Sequence, residues 1–253
     1  MNAVLVEACA DSVRSALAAE AGGAGRVELC AALVEGGTTP SEGTIALARE
    51  RLNIPLFVLV RPRGGDFLYD ADELAVMRRD VRRARTLGAD GVVVGALAPD
   101  GRVDADAVSA LTEEARPLPV TFHRAFDFAR DPAEALEALV TLGVDRVLTS
   151  GGAPTAIGGV HVLSALVRQA RGRIAILAGG GITAENVAHV VAATDVAEVH
   201  LRGATRVESS MRHRRTELSV GRPYTPDDYA WDETSGDTIR AVVAACAHTR
   251  ARS

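Results

Sequence analysis

Lysine is absent from this 253-residue chain, so all 28 of its basic residues are arginine. Schiff-base aldolases and pyridoxal-phosphate enzymes both form a covalent bond with the amine of a lysine side chain. The absence of lysine therefore excludes both classes of enzyme.

Cysteine is scarce, and long apolar runs and basic clusters are missing. Cys9, Cys30 and Cys246 are too few for a disulfide framework and are typical of free thiols in a reducing compartment. No apolar run approaches the roughly 18 residues of a membrane span, and Glu7 and Asp11 interrupt the stretch that a signal peptide needs. The net charge of −5 and the absence of an arginine-rich block do not favour binding to nucleic acid. We therefore expect a cytoplasmic protein that binds neither membranes nor nucleic acid.

Short apolar runs alternate with longer segments of helical period, which is typical of repeated βαβ units. The eight runs, one uniform period and the lack of a dinucleotide-binding glycine motif favour a single closed (β/α)₈ TIM barrel over a doubly wound open sheet. Strands are predicted at 4–8, 26–29, 55–60, 91–95, 120–122, 146–149, 174–178 and 198–201. Helices are predicted with caps at Asp11 and near Ser41, from about Asp72, and over 104–115, 132–142, 159–170 and 183–192.

A glycine recurs wherever a helix leads into one of the even-numbered strands two, four and six. Gly23, Gly88 and Gly143 each follow a predicted helix end, where a left-handed backbone conformation is needed. The recurrence indicates a repeated βαβα unit and supports the strand count.

The strand–helix pattern stops after the eighth strand. We expect the barrel over 1–202 and, in the same domain, a C-terminal arm and an extra helix over 203–253. The arm is polar and contains Pro223, Tyr224 and Pro226, and the helix is predicted from about Thr234 to Thr249. The arm could cover the barrel mouth or make a subunit contact.

Two strand ends carry the same pattern, Glu7-Ala8-Cys9 and Glu28-Leu29-Cys30. Sites in such barrels form at the C-terminal ends of the strands, and side chains two residues apart lie on one side of a strand. Adjacent strands are about 4.8 Å apart, so strand ends at similar heights would bring the four groups together. Two neighbouring thiolates suit Cu(I), whereas zinc would need two more ligands or water. The alternative is that both thiols only pack in the core.

Carboxylates inside a barrel need partners, and Arg61 and His123 are the nearest candidates. One hypothesis makes a glutamate the general acid or base and His123 its proton-transfer partner. Arg61 would then clamp a small anionic or sugar-derived metabolite. The alternative is a structural ion-pair network. The candidate catalytic residues are Glu7, Glu28, Arg61, Asp66, His123 and Asp127.

Two glycine-containing loops follow the third and seventh strands. The segment Arg61 to Phe67 could double back so that arginine and aspartate face the mouth, or form a tight turn held by an Arg–Asp bridge. The segment Ala178 to Thr183 could bind phosphate at a helix N-terminus or form a close-packed turn. The candidate substrate-binding residues are Arg63, Arg124, Ser150, Gly180, Gly181 and His200.

Six segments carry a recognisable pattern: Glu7-Ala8-Cys9-Ala10-Asp11-Ser12, Arg26-Val27-Glu28-Leu29-Cys30, Glu35-Gly36-Gly37-Thr38-Thr39-Pro40-Ser41, Arg61-Pro62-Arg63-Gly64-Gly65-Asp66-Phe67, Thr121-Phe122-His123-Arg124-Ala125-Phe126-Asp127 and Leu148-Thr149-Ser150-Gly151. In this order they resemble the CutC copper homeostasis family over roughly the first 200 residues. The resemblance implies a cytoplasmic barrel that forms homo-oligomers such as dimers or tetramers and is linked to copper handling. It also implies Cu(I) ligation by the cysteines that correspond to Cys9 and Cys30. Arg202-Gly203 and Arg214-Arg215 depart from the family pattern.

Overall fold

Eight parallel strands close into a barrel in the order in which they follow along the chain. The computed structural model describes residues 3–219 and 227–250, with side chains as far as residue 247. The predicted (β/α)₈ barrel is confirmed, and each barrel strand overlaps its predicted position. The strands are β1 (Leu5–Ala10), β2 (Arg26–Leu29), β3 (Leu56–Leu59), β4 (Gly91–Val94), β5 (Val120–Phe122), β6 (Arg146–Thr149), β7 (Ala175–Gly179) and β8 (Glu198–Leu201).

Helices surround the barrel. Seven connect consecutive strands: α1 (Val13–Ala21), α2 (Glu42–Arg51), α3 (Ala71–Thr86), α4 (Ala105–Ala115), α5 (Pro132–Thr141), α6 (Val160–Ala170) and α7 (Val187–Thr194). The C-terminal helix α8 (Gly236–Arg250) packs against α7 and α1 and so completes the outer ring. Within the described ranges, no helix is both long and apolar enough to cross a bilayer.

Polar side chains cap the helices close to the predicted positions. Ser41 accepts the Thr44 N–H and begins α2 where expected. The prediction for α1 is wrong by one residue, because Ser12 rather than Asp11 takes the extended cap conformation and accepts a backbone N–H. The recurring glycines after α1, α3 and α5 adopt positive φ as predicted: Gly23 has φ 91°, Gly88 φ 85° and Gly143 φ 70°.

Strand alternation separates two apolar regions. One set of side chains, including Val27, Leu29 and Val58, packs outward against the helices. The other set points into the barrel, where Cys9, Cys30, Phe57, Leu59 and Val93 form a small separate cluster. This apolar cluster fills only part of the barrel interior. Charged side chains occupy the rest, and they build the candidate site.

The C-terminal arm contains a hairpin that the sequence did not predict. Strand β9 (Ala204–Glu208) pairs with the antiparallel strand β10 (Ala230–Thr234), and most of their side chains are partly or fully exposed. Exposed strands need no apolar alternation, so the sequence carried no strand signal there. Thr234 donates its hydroxyl to the Cys9 carbonyl over 3.1 Å, which fixes the end of the hairpin at the mouth end of β1. Pro223, Tyr224 and Pro226 lie outside the described residues.

Candidate functional site

The register between β1 and β2 places the two Glu-x-Cys pairs at different depths. Cys9 is paired with Glu28, and Glu7 with Arg26, so one pair is displaced by two residues relative to the other. The four groups were expected to meet only if the two pairs lay at similar heights. The pairs lie at different heights, so the four groups do not all come together. The stagger of strands that closes a barrel is the physical reason. Glu7 lies beneath the mouth with 1% exposure, whereas Glu28 reaches its floor.

The two thiols meet at the floor of the mouth. The Sγ atoms of Cys9 and Cys30 are 3.3 Å apart, and the Cys30 thiol also lies 3.4 Å from the Ala10 carbonyl oxygen. The hydrogen bond with Cys30, together with burial, raises the pKa of the Cys9 thiol well above its usual value. The Cys9 contact alone would lower the pKa of Cys30, but burial and the charge of Glu28 leave it raised. Both groups are therefore protonated thiols at neutral pH unless a metal ion displaces the protons.

His200 at the end of β8 bridges the two glutamates. Its Nδ1 lies 2.7 Å from Glu7 Oε1, and its Nε2 lies 3.5 Å from Glu28 Oε2. Burial alone would lower the pKa of His200, but the charge of Glu28 and contacts with Cys9 and Glu7 raise it well above its usual value. The ligand atoms of Cys9, Glu28 and His200 lie within 4.8 Å of one another, which adds two potential metal ligands to the thiols.

A chain of alternating charges continues below His200 through the barrel interior. Glu7 pairs with Arg26, Arg26 pairs with Glu198 over 2.5 Å, and Arg146 pairs with the same Glu198 over 2.5 Å. Burial alone would raise the pKa of Glu7, but the hydrogen bond from His200 and the charge of Arg26 lower it to about 2. The ring of Phe57 lies 5.0 Å from the Arg26 guanidinium and 5.4 Å from that of Arg146.

The expectation that Arg61 and His123 pair with the glutamates is wrong. Arg26 and His200 take that role, because Arg26 stands two residues before Glu28 and shares its inward face of β2. Strand alternation could have revealed Arg26 from the sequence. Arg26 opens its strand, so the rule that sites form at the C-terminal strand ends does not select it.

Arg61, which follows β3, is held in the wall of the mouth by backbone carbonyls. Its Nη1 donates to Glu35 O over 2.9 Å and to Gly37 O over 2.7 Å, and its Nη2 donates to Gly65 O over 2.7 Å. The guanidinium lies 5.1 Å from the ring centroid of Phe67. These contacts lock the head group in place.

His123 is a buried and neutral imidazole in the same wall. Its Nδ1 accepts the Ala125 N–H over 3.1 Å, and its ring centroid lies 5.0 Å from that of Phe67. Burial and the positive charge of Arg61 lower the pKa of His123 to about 3. The ring is therefore uncharged at physiological pH.

The loop after β3 places its other charged groups away from the mouth. Arg63 pairs with Asp66 over 3.1 Å and with Glu73 over 2.5 Å, and the Asp66 side chain is 73% exposed. Thus the tight-turn interpretation fits Arg63 and Asp66, whereas Arg61 alone faces the mouth. Asp66 is not brought together with Glu7, Glu28 and His123, because the bridge to Arg63 turns its carboxylate outward.

Asp127 organises the loop after β6. Its carboxylate accepts the Thr149 hydroxyl over 2.5 Å and the N–H groups of Ser150 and Gly152 over 3.0 Å each. Arg124 pairs with Asp127 over 2.7 Å and donates to the Ser150 hydroxyl over 2.9 Å. Asp127 and Ser150 therefore position Arg124 and do not themselves line the mouth cavity.

The glycines after β7 line the mouth without opening a helix. Gly180 and Gly181 have φ values of 99° and 69°. The prediction that a helix starts at Thr183 is wrong, since α7 begins at Val187. The Thr183 N–H donates instead to Asn186 Oδ1 over 2.9 Å, which closes a turn ahead of the helix. The glycines thus face the cavity, but the helix N-terminus lies farther along the chain.

The mouth encloses a cavity of about 760 Å³. Five candidates lie outside its lining: Glu7, Arg63, Asp66, Asp127 and Ser150. Phe128 and Thr238 also line the wall, and no local sequence pattern predicts this because their exposure to the mouth depends on tertiary folding. Thr238 and Gly203 bring the arm and α8 into the wall. The candidates that line the cavity are Cys9, Glu28, Cys30, Arg61, His123, Arg124, Gly180, Gly181 and His200.

The same barrel occurs in known proteins. The model of the CutC family matches residues 4–205. A mouse protein named copper homeostasis protein cutC homolog is 45% identical over 243 residues, covering 96% of this chain and 89% of its own length. The chain belongs to the CutC family. A CutC family protein of Xanthomonas campestris is 57% identical over 195 residues, covering 77% of this chain and 81% of its own length.

Solved structures agree with the family assignment. A structure described as a copper homeostasis protein CutC from Streptococcus agalactiae has a TM-score of 0.75 at 37% identity, covering 78% of this chain and 97% of its own. N-(5'-phosphoribosyl)anthranilate isomerase of Pyrococcus furiosus has a TM-score of 0.58 at 15% identity, with 97% and 99% covered, and shows the fold alone. The CutC match ends at residue 205, where the hairpin of the arm begins.

Proposed function

We propose that this CutC protein binds Cu(I) for copper homeostasis through Cys9 and Cys30. The observation that carries the proposal is the 3.3 Å contact between the two Sγ atoms at the floor of an open cavity. Paired thiolates are soft ligands that favour Cu(I). The names of the mouse and Streptococcus agalactiae relatives point to the same metal.

The thiol pair fits copper better than zinc. With metal–sulfur bonds of about 2.3 Å, two sulfurs on a three-coordinate ion lie about 4 Å apart, so the thiols must separate by about 0.7 Å. Rotation of the Cys9 side chain supplies a movement of that size. Zinc needs four ligands, so Glu28 and His200 would both have to join the thiols and give up their contact with each other. Three-coordinate copper needs only one ligand besides the two sulfurs, which His200 would supply if its contact with Glu28 opens.

An anaerobic titration with Cu(I) in competition with a chromogenic chelator tests the proposal. Cys9→Ser and Cys30→Ser should each lose the tight site. Cys246→Ser is the matched control, because Cys246 is a buried thiol in α8 outside the cavity lining. Equal stoichiometry and affinity in all four proteins would refute copper binding at the mouth, and a parallel Zn(II) titration tests the choice of metal.

The cellular setting belongs to the same proposal. The free thiols support a cytoplasmic protein, and the family resemblance supports a homo-oligomer. Light scattering coupled to gel filtration measures the oligomeric state, and fractionation of cells that express the tagged protein measures the location.

A second candidate function is acid/base catalysis on a small anionic or sugar-derived metabolite. Its supporting observation is the contact between Glu28 and His200 inside a cavity of about 760 Å³, which is far larger than a single ion requires. Burial raises the pKa of Glu28 despite the charge of His200. A carboxyl group with a raised pKa is suited to exchanging a proton with a substrate carbon or oxygen.

Proton exchange in D₂O tests this second function. Small organic acids and sugar acids are incubated with the protein, and NMR follows loss of their C–H signals. Exchange that Glu28→Gln abolishes would support catalysis. Exchange that persists in Glu28→Gln, or no exchange with any compound, counts against it.

A further inference from the structure

Two buried N–H groups in the cavity wall have no hydrogen-bond partner among the described residues. They are Nε of Arg61 and Nε2 of His123, and each residue is only 5% exposed. Buried donors in native proteins are nearly always paired with protein, water or ligand. Two such donors in one cavity wall therefore point to something that binds there.

The backbone fixes which atom of His123 carries the proton. Because Nδ1 accepts the Ala125 N–H, the neutral ring must hold its proton on Nε2. Burial and the charge of Arg61 lower the pKa of His123 to about 3, which keeps the ring neutral. The imidazole thus offers a hydrogen bond from Nε2 and no readily exchanged proton.

Packing fixes both side chains against Phe67. The Phe67 ring contacts both, at 5.1 Å from the Arg61 guanidinium carbon and 5.0 Å from the His123 ring centroid. A methyl group at Gly95 would overlap the His123 ring, so the ring lies directly on the end of β4. Three of the four Nη N–H groups of Arg61 donate to carbonyls, and the guanidinium also lies beside the buried Tyr69 hydroxyl, so Nε is its buried nitrogen without a partner. The pair is therefore rigid before any ligand arrives.

The chemistry of the pair selects a flat anion. One charged and one neutral N–H, backed by the aromatic face of Phe67, match the two oxygens of a carboxylate, each oxygen taking one hydrogen bond. A phosphate has more acceptor oxygens than two donors satisfy, and the helix N-terminus that would assist it begins only at Val187. Arg124, which pairs with Asp127, and Arg202 also line this cavity.

We propose that Arg61 Nε and His123 Nε2 form a subsite for the carboxylate of a small organic acid. The remainder of the acid would extend across the cavity towards Glu28 and His200. The inference rests on the second candidate function only for that orientation, and it does not depend on copper.

Binding of pyruvate, acetate and inorganic phosphate to the full chain tests the subsite by calorimetry and by the shift of the His123 Nε2 proton in NMR spectra. His123→Asn places an amide oxygen near the Nδ1 position, so it keeps the acceptor for Ala125 but loses the deeper donor. His123→Gln can place an amide N–H near the position of Nε2. His161→Asn, on the exposed face of α6, is the matched control.

We expect pyruvate to bind, His123→Asn to weaken binding about tenfold or more, His123→Gln to restore part of it, and His161→Asn to change nothing. Phosphate should bind more weakly than pyruvate. Failure of pyruvate and acetate to bind the wild-type protein would mean that only water occupies the donors and would overturn the proposal. Equal binding by wild type and His123→Asn, or phosphate binding as tight as pyruvate binding, would also overturn it. Binding without C–H exchange in D₂O would leave the subsite standing and reject only the second candidate function.

Discussion

The Sγ atoms of Cys9 and Cys30 lie 3.3 Å apart although the residues are not register partners. Cys9 is level with Glu28, and Cys30 stands beyond the end of β2, where its N–H donates to Ala10 O over 2.9 Å. The thiol contact therefore joins two successive layers of the barrel interior. It lies directly above the charged chain that begins at His200. The thiols that could bind a metal and the groups that could exchange a proton therefore lie together at the floor of the mouth.

Copper affinity should rise with pH. The pKa values of both thiols are raised, so each binds a proton at neutral pH that Cu(I) must displace. Loss of up to two protons predicts a rise of up to about 100-fold in affinity per pH unit below the thiol pKa values. Competition titrations at pH 6, 7 and 8 measure the slope. An affinity that does not change over this range would show that the thiols are not the ligands.

The sequence predicted the barrel because its signals are local and repeated. The apolar runs, the caps such as Ser41 and the glycines such as Gly88 each act within a few residues. The register between β1 and β2 depends on closure of the whole sheet, and no local pattern specifies it. For that reason the sequence suggested the thiol pair but misplaced the partners of Glu7.

Glu7→Gln should destabilise the fold strongly. The change leaves Arg26 and His200 facing a neutral amide in the barrel interior, and breaking a buried ion pair in this way costs about 3–5 kcal/mol. Urea unfolding at pH 7 measures the free energy of unfolding. Glu137→Gln is the control, because its pair with Arg173 is exposed and should contribute no resolvable stability. Similar unfolding midpoints for the two variants would mean that the interior charges are not coupled.

The contribution of Glu7 should disappear in acid. Its pKa is lowered to about 2 in the folded protein, below the usual value of 4.5. The unfolded chain therefore takes up the proton first as the pH falls, so the stabilisation is present above pH 4.5 and is lost as the pH approaches 2. Unfolding of wild type and Glu7→Gln at pH 7, 5 and 3 should show a gap that narrows towards pH 3. A constant gap would contradict the ion-pair account.

His123 should not titrate near neutral pH. Burial and Arg61 lower its pKa to about 3, and Ala125 fixes the proton on Nε2. Nitrogen NMR of the imidazole should show a protonated Nε2 and an unprotonated Nδ1 without change from pH 5 to 8. If His123 titrates between pH 5 and 8, its ring does not stay neutral, and the proposal that a neutral Nε2 N–H binds a carboxylate would lose its support.

The arm should support the mouth through Thr234. Thr234→Val removes the hydrogen bond to the Cys9 carbonyl and leaves that acceptor buried, at a cost of about 1–3 kcal/mol. Thr141→Val on α5 is the control, because its hydroxyl bonds only within its own helix at an exposed position. Hydrogen exchange of β1 should accelerate in Thr234→Val alone. Equal hydrogen-exchange rates of β1 in both variants would show that the arm does not stabilise the site through Thr234.

An anomalous difference map recorded at the copper edge, from crystals loaded anaerobically with Cu(I), tests the central claim most directly. Our account predicts one strong peak about 2.3 Å from the sulfurs of both Cys9 and Cys30, and no peak in Cys30→Ser. A peak elsewhere in the barrel, or a mouth without copper in crystals that bind it at another surface, would contradict the assignment of the thiols.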